Sequence, residues 1–166
     1  MPLSQKPIIS KRSTESLPIS GEVLVELIQT ILASGADFRF TVRGSSMLPF
    51  IKDGDTVTIA PVKREKPTIG KVVAYIEPAN QRLVIHRLIG QRGPSCLIQG
   101  DNTRSNSFDV VDQAVILGCV TYLERNGQYV HLGLGLERYL IAWFSRLGLL
   151  TWLGWRWFRL RNLLGK

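Results

Sequence analysis

The hydrophobic pattern of the chain changes its period at Gly35. Before this glycine, "SGEVLVELIQTILASG" repeats its apolar residues at the three- and four-residue spacing of an amphipathic helix, with Ser20 as a candidate N-cap. After it, apolar and polar residues alternate, which is typical of a strand with one buried face. The helix positions are Val23, Leu24, Leu27, Ile28, Ile31 and Leu32, and the strand positions are Phe38, Phe40 and Val42.

The segments that follow are short and β-like. They read "TVTIA", "KVVAYI", "RLVIHRLI", "SCLIQ", "AVILGCVTYL" and "QYVHL", and turn-forming residues separate them. This spacing predicts a small, strongly bent domain that is mainly β, with a helix before it and an amphipathic helix after it. We expect a flexible polar leader over residues 1–20, one domain over 21–131 and a C-terminal helical segment over 132–166.

Charge is distributed unevenly along the chain. The net charge is +8, yet residues 132–166 alone contribute +5, from six basic residues and one acidic residue. Residues 1–20 contribute +2, so the central 21–131 carry only +1. Binding to phosphates requires lysines and arginines clustered on the folded face, so this distribution argues against a nucleic-acid partner.

The C-terminal segment "ERYLIAWFSRLGLLTWLGWRWFRLRNLLGK" contains all four tryptophans. Its longest uncharged run, from Leu147 to Trp155, is shorter than the ~20 apolar residues that a membrane span needs. The pattern predicts a helix that lies on an anionic membrane surface, with arginines at the headgroups. A terminal helix packed on the domain is the alternative. The predicted membrane contacts are Trp143, Arg146, Trp152, Trp155, Trp157 and Arg159.

The two cysteines give no sign of a metal or disulfide site. Cys96 and Cys119 lie in apolar runs without CxxC spacing, which predicts buried, unreactive thiols. We therefore predict no cofactor and no metal. Separately, residues 1–20 lack the continuous apolar stretch of a secretory signal.

The stretch "VRGSSMLPFIKDGDTV" places Ser45 and Ser46 at the end of a predicted strand. A serine hydroxyl becomes a nucleophile only when a base lies within hydrogen-bond reach. The chain has two histidines, His86 inside "RLVIHRLIG" and His131 near the C-terminal segment. A carboxylate in "IQGDN" would orient an imidazole or cap its own turn. These residues also fit an ordinary loop and a structural histidine.

Taken in order, these motifs resemble the signal peptidase I family, in particular its branch with a Ser-His pairing. "GSSMLP" is similar to the family's Gly-x-Ser-Met-x-Pro box, "VIHRLIG" to its base box and "QGDN" to its acidic box, over roughly residues 40–120. In "GKVVAYI", Lys71 replaces the aspartate that the family usually has. The resemblance implies the signal-peptidase/LexA type of fold, a coiled and partly closed sheet. It also implies Ser46 as nucleophile, His86 as base and Asp101 as its orienting carboxylate. Asp109 and Asp112 are possible substitutes for Asp101.

The resemblance also implies a reaction and a substrate. Ser46 would attack a peptide carbonyl, and the oxyanion would be held by the main-chain N–H of Ser46, with the Ser45 hydroxyl as a second candidate donor. The substrate would be a peptide or precursor protein, extended as an added strand. Two departures matter: the family's usual N-terminal membrane anchor is not found, and the base is histidine rather than the lysine of bacterial and LexA-type relatives. A LexA-like fragment and a non-catalytic binding module are the alternatives.

Overall fold

A computed structural model describes residues 21–103, 107–131 and 133–146 of the 166-residue chain. The first helix, α1, spans Gly21–Ala33, and the chain turns at Gly35, whose φ is +88°. Helix α1 and the change of period that predicted it are confirmed. Ile28 and Leu32 of α1 are buried against the sheet.

Eight strands form a single antiparallel sheet in the order β1-β2-β7-β3-β4-β5-β6, with β8 added on β7. The mainly β prediction, with a helix at each end, is confirmed. Among the described strands, β1 and β6 do not pair with each other, so the sheet is not closed. The strands are β1 Phe38–Thr41, β2 Thr56–Pro61, β3 Val72–Glu77, β4 Arg82–Arg92, β5 Ser95–Gln99, β6 Asp109–Asp112, β7 Ile116–Arg125 and β8 Gln128–Tyr129; a 3-10 turn, Gln113–Val115, joins β6 to β7.

The central strand β3 has a core on each of its faces. Val72 and Ala74 pack with the residues beneath α1, whereas Val73 and Tyr75 pack with Leu88 of β4 and its neighbours on the other face. Burial on both sides explains why "VVAYI" is a continuous apolar run rather than an alternating one.

The second helix, α2, spans Arg138–Arg146 and packs against β4. It buries Ile141, Ala142 and Ser145, so this part of the C-terminal segment lies on the domain, as the alternative interpretation held. Within the described residues, no helix has both the length and the apolarity to cross a membrane. Four of the predicted membrane contacts fall outside the described residues, namely Trp152, Trp155, Trp157 and Arg159.

Both cysteines are free and buried, as predicted. Burial raises the pKa of the Cys96 thiol, and it raises that of Cys119 to about 11. Both thiols are therefore protonated at neutral pH, the form that is least reactive.

Candidate active site

Residues 42–55, which we call the serine loop, carry Ser46 from the end of β1 to the start of β2, and hydrogen bonds join the two ends of this loop. The Val42 N–H donates to Asp55 O over 2.8 Å, and the Gly54 N–H donates back to Val42 O over 3.0 Å. Between them Gly44 adopts a φ of +106°, which favours glycine, and its N–H donates to Asp53 Oδ1 over 2.8 Å. This bend exposes Ser46 at the start of the loop.

The far end of the loop is fixed by an ion pair. Arg125 donates to both oxygens of Asp55, over 2.8 and 2.7 Å, and to Phe50 O over 3.0 Å. Burial opposes ionisation of Asp55, but the hydrogen bonds from Arg125 and from the Lys52 N–H outweigh it, so the pKa of this carboxyl is lowered. The exposed serine thus sits on a firmly held loop.

The turn after β5 holds the serine loop from the other side. The Asn102 N–H donates to Ser46 O over 2.8 Å, and Asn102 Nδ2 donates to Ser45 O over 3.2 Å. Gly100 lies between this loop and His86: a Cβ on Gly100 would be 2.7 Å from Ser46 O and 3.1 Å from His86 Nε2. The main chain of Ser46 and the imidazole of His86, forty positions apart in the sequence, therefore both lie next to Gly100.

His86 extends from β4, where it pairs with Val73 of β3. Its side chain is 17% exposed. Burial lowers the pKa of His86 below its ordinary 6.5, although the nearby carboxylates of Asp109, Asp101 and Glu77 act in the opposite direction. The imidazole is therefore neutral at pH 7, and a neutral imidazole can accept a proton.

Asp109 is the carboxylate that faces the Nδ1 side of this imidazole. Its Oδ2 lies 3.8 Å from His86 Nδ1, which is an ion-pair distance but too long for a hydrogen bond. Among the described residues, His86 Nδ1 is buried without a hydrogen-bond partner. The Tyr75 hydroxyl donates to Asp109 Oδ2 over 2.6 Å, and this hydrogen bond fixes the carboxylate in place.

The Peptidase S24-like family matches residues 7–121, well over half of the chain. The chain belongs to the Peptidase S24-like family. This confirms the predicted membership of the superfamily that includes LexA-type and signal peptidases. No match was found among curated proteins. Family membership supports a peptidase function and leaves substrate and mechanism to be argued from the site.

Asp101 has different partners from those that the sequence suggested for this S24-like domain. Arg87 Nε and Nη2 donate to its two oxygens over 2.8 and 2.7 Å, and neither side chain is exposed. Ser145 of α2 approaches the same carboxylate, with its Oγ 3.4 Å from Oδ1. The structure thus places Asp101 in a buried ion pair and brings Asp109 to the imidazole.

The remaining candidates lie away from the imidazole. Asp112 accepts from the Ala114 N–H over 2.8 Å, as the cap of the 3-10 turn. His131 contacts the Tyr129 ring, with centroids 3.9 Å apart. Lys71 donates to Glu65 and to Lys66 O. Within the described part of the chain, no group of histidines, cysteines and carboxylates could hold a metal ion.

A cleft of about 400 Å³ runs past Ser46 and His86. Its walls are mainly apolar, and among the described residues Arg43 and Glu77 are its charged side chains. No lysine is found among the described residues that line it. The walls are formed by Leu24 of α1, residues 40–44, Met47 and Ile51 of the serine loop, and Glu77 and residues 83–85 at the β3–β4 end.

Three residues that shape this site were not predicted from the sequence. Arg87 and Asn102 stand beside predicted catalytic residues in the chain, and Tyr75 lies in an apolar run. The position of Arg87 in a buried strand was the available signal, since a fully buried arginine requires a partner of opposite charge.

Proposed function

We propose that this S24-like domain is a serine endopeptidase in which Ser46 is the nucleophile and His86 is the general base. The observation that carries the proposal is that both residues line one cleft that opens to solvent, with the Ser46 main chain and the His86 imidazole next to Gly100. Ser46 is exposed and can reach a substrate, while its backbone is held by Asn102.

The protonation state of His86 supports this assignment. In relatives with a lysine base, the lysine must lose a proton before it can act, whereas a buried imidazole with a lowered pKa is already neutral. His86 takes the proton of the Ser46 hydroxyl as this oxygen attacks the peptide carbonyl. It then gives the proton to the leaving amine, and water hydrolyses the acyl-enzyme in the reverse sequence of proton transfers. The main-chain N–H of Ser46 stabilises the oxyanion, with the Ser45 hydroxyl as a second candidate donor.

We assign the orientation of His86 to Asp109 rather than Asp101. Both Asp101 oxygens already accept from Arg87, whereas Asp109 lies next to an imidazole nitrogen that has no other hydrogen-bond partner among the described residues. Hydrogen bonds of catalytic groups are often long in the free enzyme and shorten when substrate binds. The 3.8 Å separation fits such a resting state.

The substrate in this proposal is an extended peptide. Strand β1 pairs with β2 alone among the described strands, so its other edge has free backbone groups, and Phe40 and Thr41 of that strand line the cleft. A peptide strand added there would have its backbone hydrogen-bonded and its side chains in the apolar cleft. By the family resemblance, small side chains would flank the scissile bond.

A serine-directed fluorophosphonate tests the nucleophile directly. We expect stoichiometric labelling of the full chain at Ser46 and no labelling of Ser46→Ala. The matched variant Ser45→Ala should still be labelled to completion, at a lower rate if its hydroxyl is an oxyanion donor. Equal labelling of Ser46→Ala and wild type would contradict the proposal. Absence of labelling in wild type would favour the non-catalytic binding module.

Self-cleavage is a second candidate, because Leu24, in the first turn of α1, lines the cleft. Intact mass measured after incubation distinguishes the two modes. Cleavage in cis gives a fragment yield that does not depend on protein concentration and disappears in Ser46→Ala.

A further inference from the structure

Four large apolar side chains, three in α2 and one just before it, are exposed. Leu136, just before the helix, is 83% exposed, and Leu140, Trp143 and Tyr139 are 62%, 56% and 48% exposed. The positions 136, 139, 140 and 143 share one side of a helix. We call these four residues the outer face of α2.

The side of α2 that contacts the domain is smaller and partly polar. Ser145 lies against the Asp101 carboxylate, and Arg138 packs so closely over Gly70 that a Cβ there would be 2.9 Å from the arginine Cγ. Ile141 and Ala142 complete this contact. A helix on a water-exposed domain ordinarily has the reverse arrangement, with its large apolar residues inside.

The charged residues that follow the outer face in the sequence are basic. Arg146, in the last turn of α2, is exposed. The next twenty residues of the sequence, 147–166, contain four cations, no carboxylate side chain and three more tryptophans. Tryptophan with arginine is the composition of segments at a membrane–water boundary, where the rings lie at headgroup level and the guanidinium groups meet anionic lipids.

We propose that the outer face of α2 binds an anionic membrane surface. The inner side of the same helix contacts Asp101, which is paired with Arg87, the residue after His86. Binding through the outer face therefore holds the peptidase domain at the lipid surface.

Two other occupants of the outer face are weaker candidates. Residues 147–166 could fold over it, or a second copy of the chain could cover it. Either arrangement would bury the apolar side chains of the face. Neither would explain why residues 147–166 contain four cations and no carboxylate side chain. An anionic surface accounts for both the tryptophans and the cations.

The fluorescence of Trp143 tests the proposal. In the full chain with Trp152, Trp155 and Trp157 replaced by phenylalanine, Trp143 is the sole tryptophan. We expect its emission to be that of an exposed indole in buffer, and to move to shorter wavelength with phosphatidylglycerol vesicles but not with phosphatidylcholine vesicles. Brominated phosphatidylglycerol should quench it.

Vesicle co-sedimentation measures the contribution of the face itself. Leu140→Ser should weaken binding of the full chain to phosphatidylglycerol vesicles by about 10-fold, as expected when one leucine no longer enters the interface. Val110→Ser is the matched control, because Val110 is 61% exposed on β6, outside this face, and it should bind like wild type.

Each other outcome overturns the proposal. Unchanged binding of Leu140→Ser would show that residues 147–166 bind lipid without the outer face. Short-wavelength emission in buffer at every protein concentration would show that the chain covers its own Trp143. Short-wavelength emission that is lost on dilution would show a second copy there.

Discussion

His86 and Arg87 are neighbours on β4, and their surroundings differ completely. Successive side chains of a strand point to opposite faces of the sheet, and the register pairs His86 with Val73 but Arg87 with Val72. His86 borders the cleft, and its Nδ1 has no hydrogen-bond partner among the described residues. Arg87 is fully buried and makes four hydrogen bonds, two to Asp101, one to Gly70 O and one to Gly133 O.

The contrast shows how one strand serves both structure and chemistry. A buried guanidinium is tolerated only when its donors are satisfied, and Arg87 meets this requirement while also stacking on the Phe50 ring, 5.5 Å away. Phe50 belongs to the serine loop, so Arg87 connects that loop with the Asp101 turn. The imidazole on the other face keeps an unsatisfied nitrogen and a shifted pKa, which are typical of a reactive group.

Replacing the histidine should have the largest effect. We expect His86→Ala to lower kcat/KM for a cleavable peptide by about 100- to 10,000-fold, the usual contribution of a general base, with little loss of stability. Hydrolysis rates and thermal unfolding measure the two effects. His131→Ala is the control and should retain full activity, because His131 contacts Tyr129 outside the cleft. Equal losses in both variants would remove the distinction between the two histidines.

Replacing Arg87 should mainly lower stability, whereas replacing His86 should mainly lower activity. Arg87→Met leaves Asp101 charged and buried, so we expect the free energy of unfolding to fall by about 3–5 kcal/mol, measured by urea denaturation. Arg39→Met removes an exposed pair with Glu124, in which the arginine side chain is 57% exposed, and should cost at most about 1 kcal/mol. A similar loss of unfolding free energy in the two variants would show that the ion pair between Arg87 and Asp101 does not stabilise the fold. If Arg87→Met does not fold, Asp101→Asn supplies the same comparison.

Replacing Asp109 should sharpen the assignment of the orienting carboxylate. Asp109→Asn keeps an acceptor for the Tyr75 hydroxyl but loses the charge beside His86. A hydrogen bond to a charged group is worth about 1.5–3 kcal/mol, so we expect kcat/KM to fall by about 10- to 100-fold.

The pH dependence of activity shows in which direction Asp109 shifts the pKa of His86. His86 must be unprotonated to act, so activity is lost as pH falls through its pKa, and the wild-type midpoint should lie below 6.5 because burial lowers that pKa. The Asp109 charge raises the pKa of His86, so its removal should move the midpoint to still lower pH. Asp112→Asn is the control and should leave the midpoint unchanged, because Asp112 caps the 3-10 turn. If the midpoint of Asp109→Asn moves to higher pH or stays at the wild-type value, Asp109 does not have this role.

Much of the fold was predictable because local patterns matched tertiary burial. The change of period at Gly35 predicted α1 and β1, and "SCLIQ" coincides with β5, Ser95–Gln99. Strand β6, Asp109–Asp112, was missed since two of its four residues are aspartates within a polar stretch that looked like a turn. It forms because its backbone pairs with β5, the preceding strand, and this pairing depends on tertiary structure rather than on the residue types of β6.

The sequence by itself determined the family, the mainly β class and the identity of the residues that could act as nucleophile and base, because these depend on residue type and order along the chain. Only the tertiary structure decided that Asp109 faces His86 while Asp101 pairs with Arg87, and that α2 presents its apolar side outward. The physical reason is that a carboxylate in a turn or an apolar helix position fits several environments equally well. Strand register and packing select among these environments, and they bring together residues that the sequence separates.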